Sequence, residues 1–484
     1  MTDLADFTAT ELIEGYARAE FTPVDATEAV LARIEERNAA LNAFVLVDPD
    51  STLASARESA RRWAEGSTLG PGDGVPTSIK DIFFTAGWPT LKGSRLISAE
   101  GPWDVDAPCA ARLRETGAVL VGKTTTPEFA WKGTTDSLRQ GITGNPWDPA
   151  TTAGGSSGGS GAAVAAGMGP WSVGTDGGGS VRIPASFTGT VALKATYGTV
   201  PMYPSSPFGT LAHAGPMART VADTALLLQI ISGFDSRDWS ALPTRGESYV
   251  GAEQGGVAGL RIAYSPTLGY GTNDPEVERL LDEAAGQLAA LGAHVDRVDP
   301  GFADPMEAFH ILWFTGAAKV LEPFGPAALD QIDPGLRAGI ETYGQASASD
   351  YLGATQVRMD MGVHMGAFHE QYDLLLTPTM PGTAFDAQRQ VPEGSPHDLW
   401  TGWTPYTYPF NMTQQPGISV PCGTTSAGLP VGAQLVGART KDRLVLRGGA
   451  ALEAVMGERF TRPVPANGTA PADRTVPAAP GGAA

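Results

Sequence analysis

The chain has 484 residues, 42% of them apolar and 18% charged, enough for a large core, with 52 acidic against 33 basic residues and a net charge of −19. That balance argues against a phosphate backbone or an anionic membrane surface as a general partner, so neither nucleic acid nor membrane is expected. Two cysteines make neither a disulfide framework nor a metal site, the N-terminus lacks a basic segment followed by an apolar one, and no apolar run reaches bilayer length, so a cytoplasmic protein is the expectation.

Two helices open the chain. Thr8 and Glu11 read as a capping box ahead of Leu12, Ile13 and Tyr16. Thr22 caps the second, with Pro23 at its first position and Val30, Leu31 and Ile34 on one face. Residues 74–79 form a short apolar stretch that reads as a buried strand delivering Lys80 at its end, with Asp81 next. Residues 117–123 are a further strand, preceded by a helical segment at 110–115. Residues 134–153, rich in Thr, Gly and Pro, are loop-like and lead into Gly154-Gly155-Ser156-Ser157-Gly158-Gly159-Ser160. Small residues at 162–166 suit a close-packed helix, and residues 191–195 suit a strand. Thr220 with Asp223 caps a helix carrying Leu226, Leu227, Ile230 and Ile231.

The pattern changes from about residue 234. A strand at 260–264, a helix opened by Asp274-Pro275 and closed by Gly292, and a strand at 294–298 make a βαβ unit, hence at least part of a parallel sheet. Residues 301–370 read as mainly helical and cap-like. Strands at 374–377, 417–421 and 431–436 return before a final helix at 444–456. Residues 463–484 are Pro/Ala/Gly-rich with little apolar content, which predicts a disordered tail behind one folded domain at 1–462.

The chemistry centres on Thr175-Asp176-Gly177-Gly178-Gly179-Ser180-Val181-Arg182. Glycines without Cβ atoms can turn successive N–H groups toward one point, as an oxyanion site requires, with the Ser180 hydroxyl beside them. Apolar segments at 162–166, 171–173 and 191–193 flank both glycine runs, which argues against flexible linkers. Two pattern matches fail on context. Gly117 to Thr124 fit the P-loop expression, but the four middle residues, Ala-Val-Leu-Val, form the strand itself instead of a phosphate-cradling loop. Gly154 to Gly158 fit the G-x-S-x-G elbow, which follows a buried strand, whereas residues 145–152 are polar and turn-forming. His397, the last histidine, lies between no clear strand and helix, so a Ser-His-Asp hydrolase ranks second. What remains is a serine nucleophile without a histidine, and Lys80 is the candidate base. A lysine at about 10.4 must fall by roughly three units to act near neutrality, which burial at a strand end favours.

With these residues in place the chain resembles the amidase signature family, whose members include tRNA-dependent amidotransferase A subunits and fatty acid amide hydrolases. The matching text includes Gly74-Val75-Pro76 with Ile79-Lys80-Asp81, Gly122-Lys123-Thr124 with Pro127-Glu128-Phe129, Asn145-Pro146-Trp147, and both glycine-serine runs. It continues through Arg182-Ile183-Pro184-Ala185, Leu193-Lys194 with Tyr197-Gly198, Leu376-Thr377-Pro378-Thr379 and Ser419-Val420-Pro421-Cys422-Gly423, and covers about residues 8–460.

The resemblance implies a single α/β domain whose core is a mixed, largely parallel sheet surrounded by helices. It implies a Lys80–Ser156–Ser180 triad, with Ser180 as nucleophile and Ser156, at a cis peptide, bridging to Lys80. It places oxyanion donors on the backbone of Gly177, Gly178, Gly179 and Ser180. Asp176 and Arg182 become a supporting pair, with Ser157 and Thr175 also in support, and Ala130-Trp131-Lys132 the acyl-pocket wall. No metal or cofactor is implied. One departure stands out: Pro409-Phe410-Asn411 follows Trp403-Thr404-Pro405-Tyr406-Thr407-Tyr408, where aromatics replace the acid with which amidotransferase A subunits hold the glutamine ammonium. The expectation is a stand-alone amidohydrolase that cleaves a small-molecule amide through an acyl-enzyme. Aryl or apolar amides, esters and carbamates are the favoured substrates. The alternatives are an amidotransferase A-type glutaminase subunit and a non-catalytic binding subunit; the oligomeric state, homodimer included, stays open.

Overall fold

The fold is given by a computed structural model that describes residues 3–243, 246–395 and 397–456. The expected tail at 463–484, and with it the end of the domain, lies outside the described residues. Both opening helices form as their caps dictate. Thr8 and Glu11 close a capping box on Ala9–Ala17, and Thr22 and Asp25 close another on Pro23–Leu41.

The strands, in chain order, are β1 (Phe44–Val47), β2 (Pro76–Lys80), β3 (Val119–Thr124), a small hairpin of β4 (Asp136–Ser137) and β5 (Gly141–Ile142), then β6 (Trp171–Asp176), β7 (Val191–Lys194), β8 (His213–Ala218), β9 (Arg261–Tyr264), β10 (His294–Arg297), β11 (Leu374–Pro378), β12 (Gly417–Thr424) and β13 (Pro430–Gly437). All but the hairpin join one eleven-stranded sheet in the order β1-β3-β2-β6-β8-β7-β12-β13-β11-β9-β10. The sheet is mixed, as expected, but it is not largely parallel. Only the pairings of β2 with β3 and β6, and of β9 with β10 and β11, are parallel. The other six are antiparallel. Parallel neighbours need a crossover, which the helices Pro108–Glu115 and Pro275–Ala290 provide on either flank. In the middle, strands such as β12 and β13 join through a short turn and must run antiparallel.

Strand periodicity separates core from site. In β12, Ile418, Val420 and Cys422 face a core shared with Leu227 and Leu228 of Val221–Ile231, Leu281 and Leu288 of Pro275–Ala290, and Leu446 and Leu452 of Asp442–Met456. Ile79 of β2 joins the same core, so its neighbour Lys80 points to the opposite face. A second, aromatic core gathers Phe309, Trp313 and Phe314 of Met306–Leu321 with Phe187, Trp400, Trp403 and Tyr408. The region expected to be helical contains Met306–Leu321, Pro334–Tyr343 and Ala348–Phe368.

Candidate active site

The in-register pairing of Ile79 with Val173 sets the carboxyl ends of parallel β2 and β6 side by side, where α/β sheets commonly bind ligands. Lys80 ends β2, and Thr175-Asp176 end β6. The first glycine-serine run crosses this end and enters the helix Gly158–Ala165. Close passage there needs a residue without Cβ: a Cβ on Gly155 would lie 2.3 Å from the Thr134 carbonyl oxygen. The Gly155–Ser156 peptide is cis.

These elements bring together Lys80, Ser156, Ser157, Thr175 and Ser180. The fully buried Lys80 Nζ lies 2.7 Å from Ser156 Oγ, 2.9 Å from Ser157 Oγ and 2.7 Å from Thr175 Oγ1. Ser157 Oγ donates to the Thr175 carbonyl and accepts from the Thr175 N–H. The Ser157 N–H donates to the Ser180 carbonyl at 3.0 Å, which ties the two serine segments together. Burial pushes Lys80 well below the ordinary lysine value, against the pull of Asp176.

The second run is fixed by Asp176. Arg182 donates to both of its carboxylate oxygens at 2.9 Å, both residues being buried. Burial alone would raise this carboxyl, but Arg182 holds it far below the usual carboxylate range. Arg182 also donates to the Thr407 carbonyl, Gln434 Oε1 and Asn411 Oδ1, and Asn411 Nδ2 returns to Asp176. Sequence reasoning missed Asn411 and Gln434 as members of this network. The signal for Gln434 was a polar side chain inside the apolar strand β13.

Truncating Arg182 to Met would leave a buried carboxylate without its counter-charge. Such losses cost about 3–5 kcal/mol, to be read from urea unfolding at neutral pH. Because Asp176 is depressed in the folded state, the stabilisation is present above the ordinary carboxylate range and fades as pH falls through the folded value. A loss below about 1 kcal/mol, the worth of a surface pair, would contradict this.

Two sequence-derived assignments need correction. The Gly179 N–H donates to Asp176 Oδ1 at 2.8 Å, which commits it to the turn and leaves Gly177, Gly178 and Ser180 as the candidate oxyanion donors. Gly179 sits at φ 130°, and a Cβ there would lie 2.4 Å from Thr407 Oγ1, so glycine is required for the backbone instead. Of Ala130-Trp131-Lys132, only Ala130 faces the cavity over the two serines, joined by Phe129. Trp131 packs on Phe314. Lys132 is buried away from the cavity, bonded to Asp136, Asp333 and Gln390. Those two carboxylates outweigh burial and raise its pKa.

The cavity measures about 330 Å³ and opens onto Ser156, Thr175, Gly177 and Ser180. Its wall is mainly apolar, with Ile82, Phe83, Ile97, Met202, Phe208, Trp313 and Phe324. Lys92 and Lys319 are its charged members, and none of the described lining residues is acidic. Trp403, Tyr406 and Tyr408 do not line it. The Tyr406 and Tyr408 hydroxyls donate instead to Asn273 and Asp304.

The strand reading of the P-loop-like stretch holds: Lys123 lies in β3, buried, and pairs with Asp81 at 3.1 Å. Among the described residues no group of three or more His, Cys, Asp or Glu side chains could hold a metal ion. No helix among them is long and apolar enough to cross a membrane.

A buried amine and serines thus meet at the carboxyl end of a mixed sheet, and no histidine is among the described residues lining the cavity. The family model described as amidase matches residues 25–446. The chain therefore belongs to the amidase signature family and is a C–N amide hydrolase. It is 37% identical to an acylamidase of Rhodococcus erythropolis over 454 residues, covering 92% of this chain and 95% of the relative. It is also 37% identical to the A-type subunit of the glutamyl-tRNA(Gln) amidotransferase of Chloroflexus aurantiacus, covering 96% and 99%. Among solved structures, a bacterial aryl acylamidase superposes with a TM-score of 0.88 at 30% identity, covering 95% of this chain and 98% of the other.

Proposed function

We propose that the chain is a stand-alone amidohydrolase acting on aryl or apolar amides through an acyl-enzyme on Ser180. The reading rests on one observation above others: a fully buried lysine amine lies 2.7 Å from the hydroxyl of Ser156, which shares a mainly apolar cavity with Ser180. The hydrogen bonds are compatible with a neutral Lys80 amine. Ser157 Oγ spends its hydrogen on the Thr175 carbonyl, so it must accept from Lys80. A neutral amine has two hydrogens and one lone pair. It can donate to Ser157 and Thr175 while accepting the Ser156 hydroxyl proton. Ser156 in turn takes the proton of Ser180 as that oxygen attacks the carbonyl. The N–H groups of Gly177, Gly178 and Ser180 stabilise the oxyanion. Lys80 then returns the proton through Ser156 to the departing amine, which leaves poorly unless protonated. Water resolves the ester by the same relay, and the chemistry uses neither metal nor cofactor.

The acylamidase and aryl acylamidase relatives support this substrate class. The amidotransferase relatives favour glutamine equally by identity, but the cavity does not. A glutamine ammonium needs an acid, and the described wall offers lysines instead. With purified protein, kcat/KM for an anilide is expected to exceed that for glutamine by at least about 100-fold, which corresponds to roughly 2.7 kcal/mol of lost pairing and added repulsion. Comparable values would favour the glutaminase reading. Esters and carbamates are proposed as secondary substrates of the same site.

A further inference from the structure

The molecule as a whole carries a charge of −19, yet its cavity presents lysines and no acid among the described lining residues. Lys319, largely exposed, is ion-paired with Glu322. Lys92 is different. Its Nζ stands 5.4 Å from the centre of the Phe84 ring, and no ion pair engages it among the described residues. The acid whose charge bears on it, Asp81, is committed to Lys123 at 3.1 Å and also accepts from the Leu91 N–H and Gln140. The Lys92 backbone is held at φ 51°, uncommon for a residue with a Cβ, and its carbonyl accepts from the N–H of Phe129, itself part of the cavity wall. The lysine is thus set in place by the fold and partly withdrawn from water, without a counter-charge. Burial lowers its pKa, which a carboxylate beside it would reverse.

We propose that Lys92 is a specificity-determining residue that anchors a carboxylate on the substrate, remote from the scissile amide. The substrate class becomes an amide with an apolar body and one anionic end, such as a dicarboxylic acid monoamide or an acylated aminobenzoate. An apolar wall around one unpaired ammonium suits this division: the body fills the cavity while the carboxylate forms a charge-assisted hydrogen bond.

This inference rests on the amidase reading for its place in the reaction, but its test does not need turnover. In the Ser180→Ala protein, affinities are measured by calorimetry for two matched pairs. The first is glutaric acid mono-4-nitroanilide against its uncharged isostere 5-methylhexanoyl-4-nitroanilide, with the charge on the acyl side. The second is 4-acetamidobenzoate against 4-methylacetanilide, with the charge on the amine side. In at least one pair the carboxylate is expected to bind about tenfold tighter or more, as a charge-assisted bond provides. Lys92→Met should bring that ratio close to one, and Lys92→Arg should keep most of it. A ratio at or below one in both pairs overturns the proposal before any Lys92 variant is made, and so does a preference that survives Lys92→Met. Failure of the amidase reading would appear separately, as absence of anilide hydrolysis in the unmodified protein.

Discussion

Replacing Ser180 with alanine is expected to abolish amide hydrolysis while leaving the unfolding transition in place. The hydroxyl faces the cavity, whereas the turn is held by contacts that do not involve it: the Ser180 carbonyl accepts from Ser157, and Asp176 binds the Gly179 and Val181 N–H groups. Alanine removes one oxygen and keeps every one of these bonds. Loss of a serine nucleophile in hydrolases that act as a unit is worth on the order of 10⁶ in kcat. The kcat of purified wild type and variant on one anilide, with thermal unfolding alongside, measures this. A variant with more than about a hundredth of wild-type kcat would remove Ser180 from the role, since that is the scale of a supporting contact.

Lys80→Ala should behave differently, and the difference carries the mechanism. In the proposed relay, loss of the amine leaves neither the attacking oxygen nor the leaving amine with its proton partner. General acid–base assistance is typically worth about 10² to 10⁴, so a loss of that order is expected for amides. A 4-nitrophenyl ester has a leaving group that departs without a proton, and its loss should be smaller. The pH dependence has a defined sign. The proposed relay needs the neutral amine, and burial holds Lys80 well below the ordinary lysine value, in the direction that favours this form. As pH falls through that depressed value the amine protonates, its lone pair is lost to Ser156, and kcat/KM drops; as pH rises the activity returns. This acid limb should vanish in Lys80→Ala. Equal losses for amide and ester, or an unaltered limb, would remove Lys80 from the relay.

Much of this site was legible in the chain. Lys80 could be placed because an apolar strand runs directly into it, and the two glycine-serine runs because a Cβ has no room there, against the Thr134 backbone at Gly155 and the Thr407 side chain at Gly179. The caps at Thr8, Thr22, Thr220 and Asp274 fixed helix starts for the same local reason. What escaped depends on contacts far apart in sequence. Strand β8 contains Gly215 and Pro216, residues that usually interrupt strands, yet it lies between β6 and β7, so tertiary pairing overrides local propensity. Its insertion accounts for the antiparallel pairings on either side of it, with β6 and β7. Of the expected wall only Ala130 lines the cavity, with Phe129 before it, because Phe129 and Ala130 adopt left-handed backbone and Trp131 and Lys132 turn away from the cavity. Asn411 was visible only as the end of the Pro409-Phe410-Asn411 element, without its role in the Arg182 network, and Lys92 gave no local signal. Asn411 matters through an arginine 229 positions away, and the proposed role of Lys92 depends on having no ion-pair partner among the described residues.

The central claim, that Ser180 forms the acyl-enzyme, is tested most directly by labelling the unmodified protein with a fluorophosphonate and mapping the adduct by peptide mass spectrometry. The account predicts a single modification on Ser180, reduced as pH falls through the Lys80 titration. An adduct on Ser156 or Ser157, with Ser180 unmodified, would contradict it.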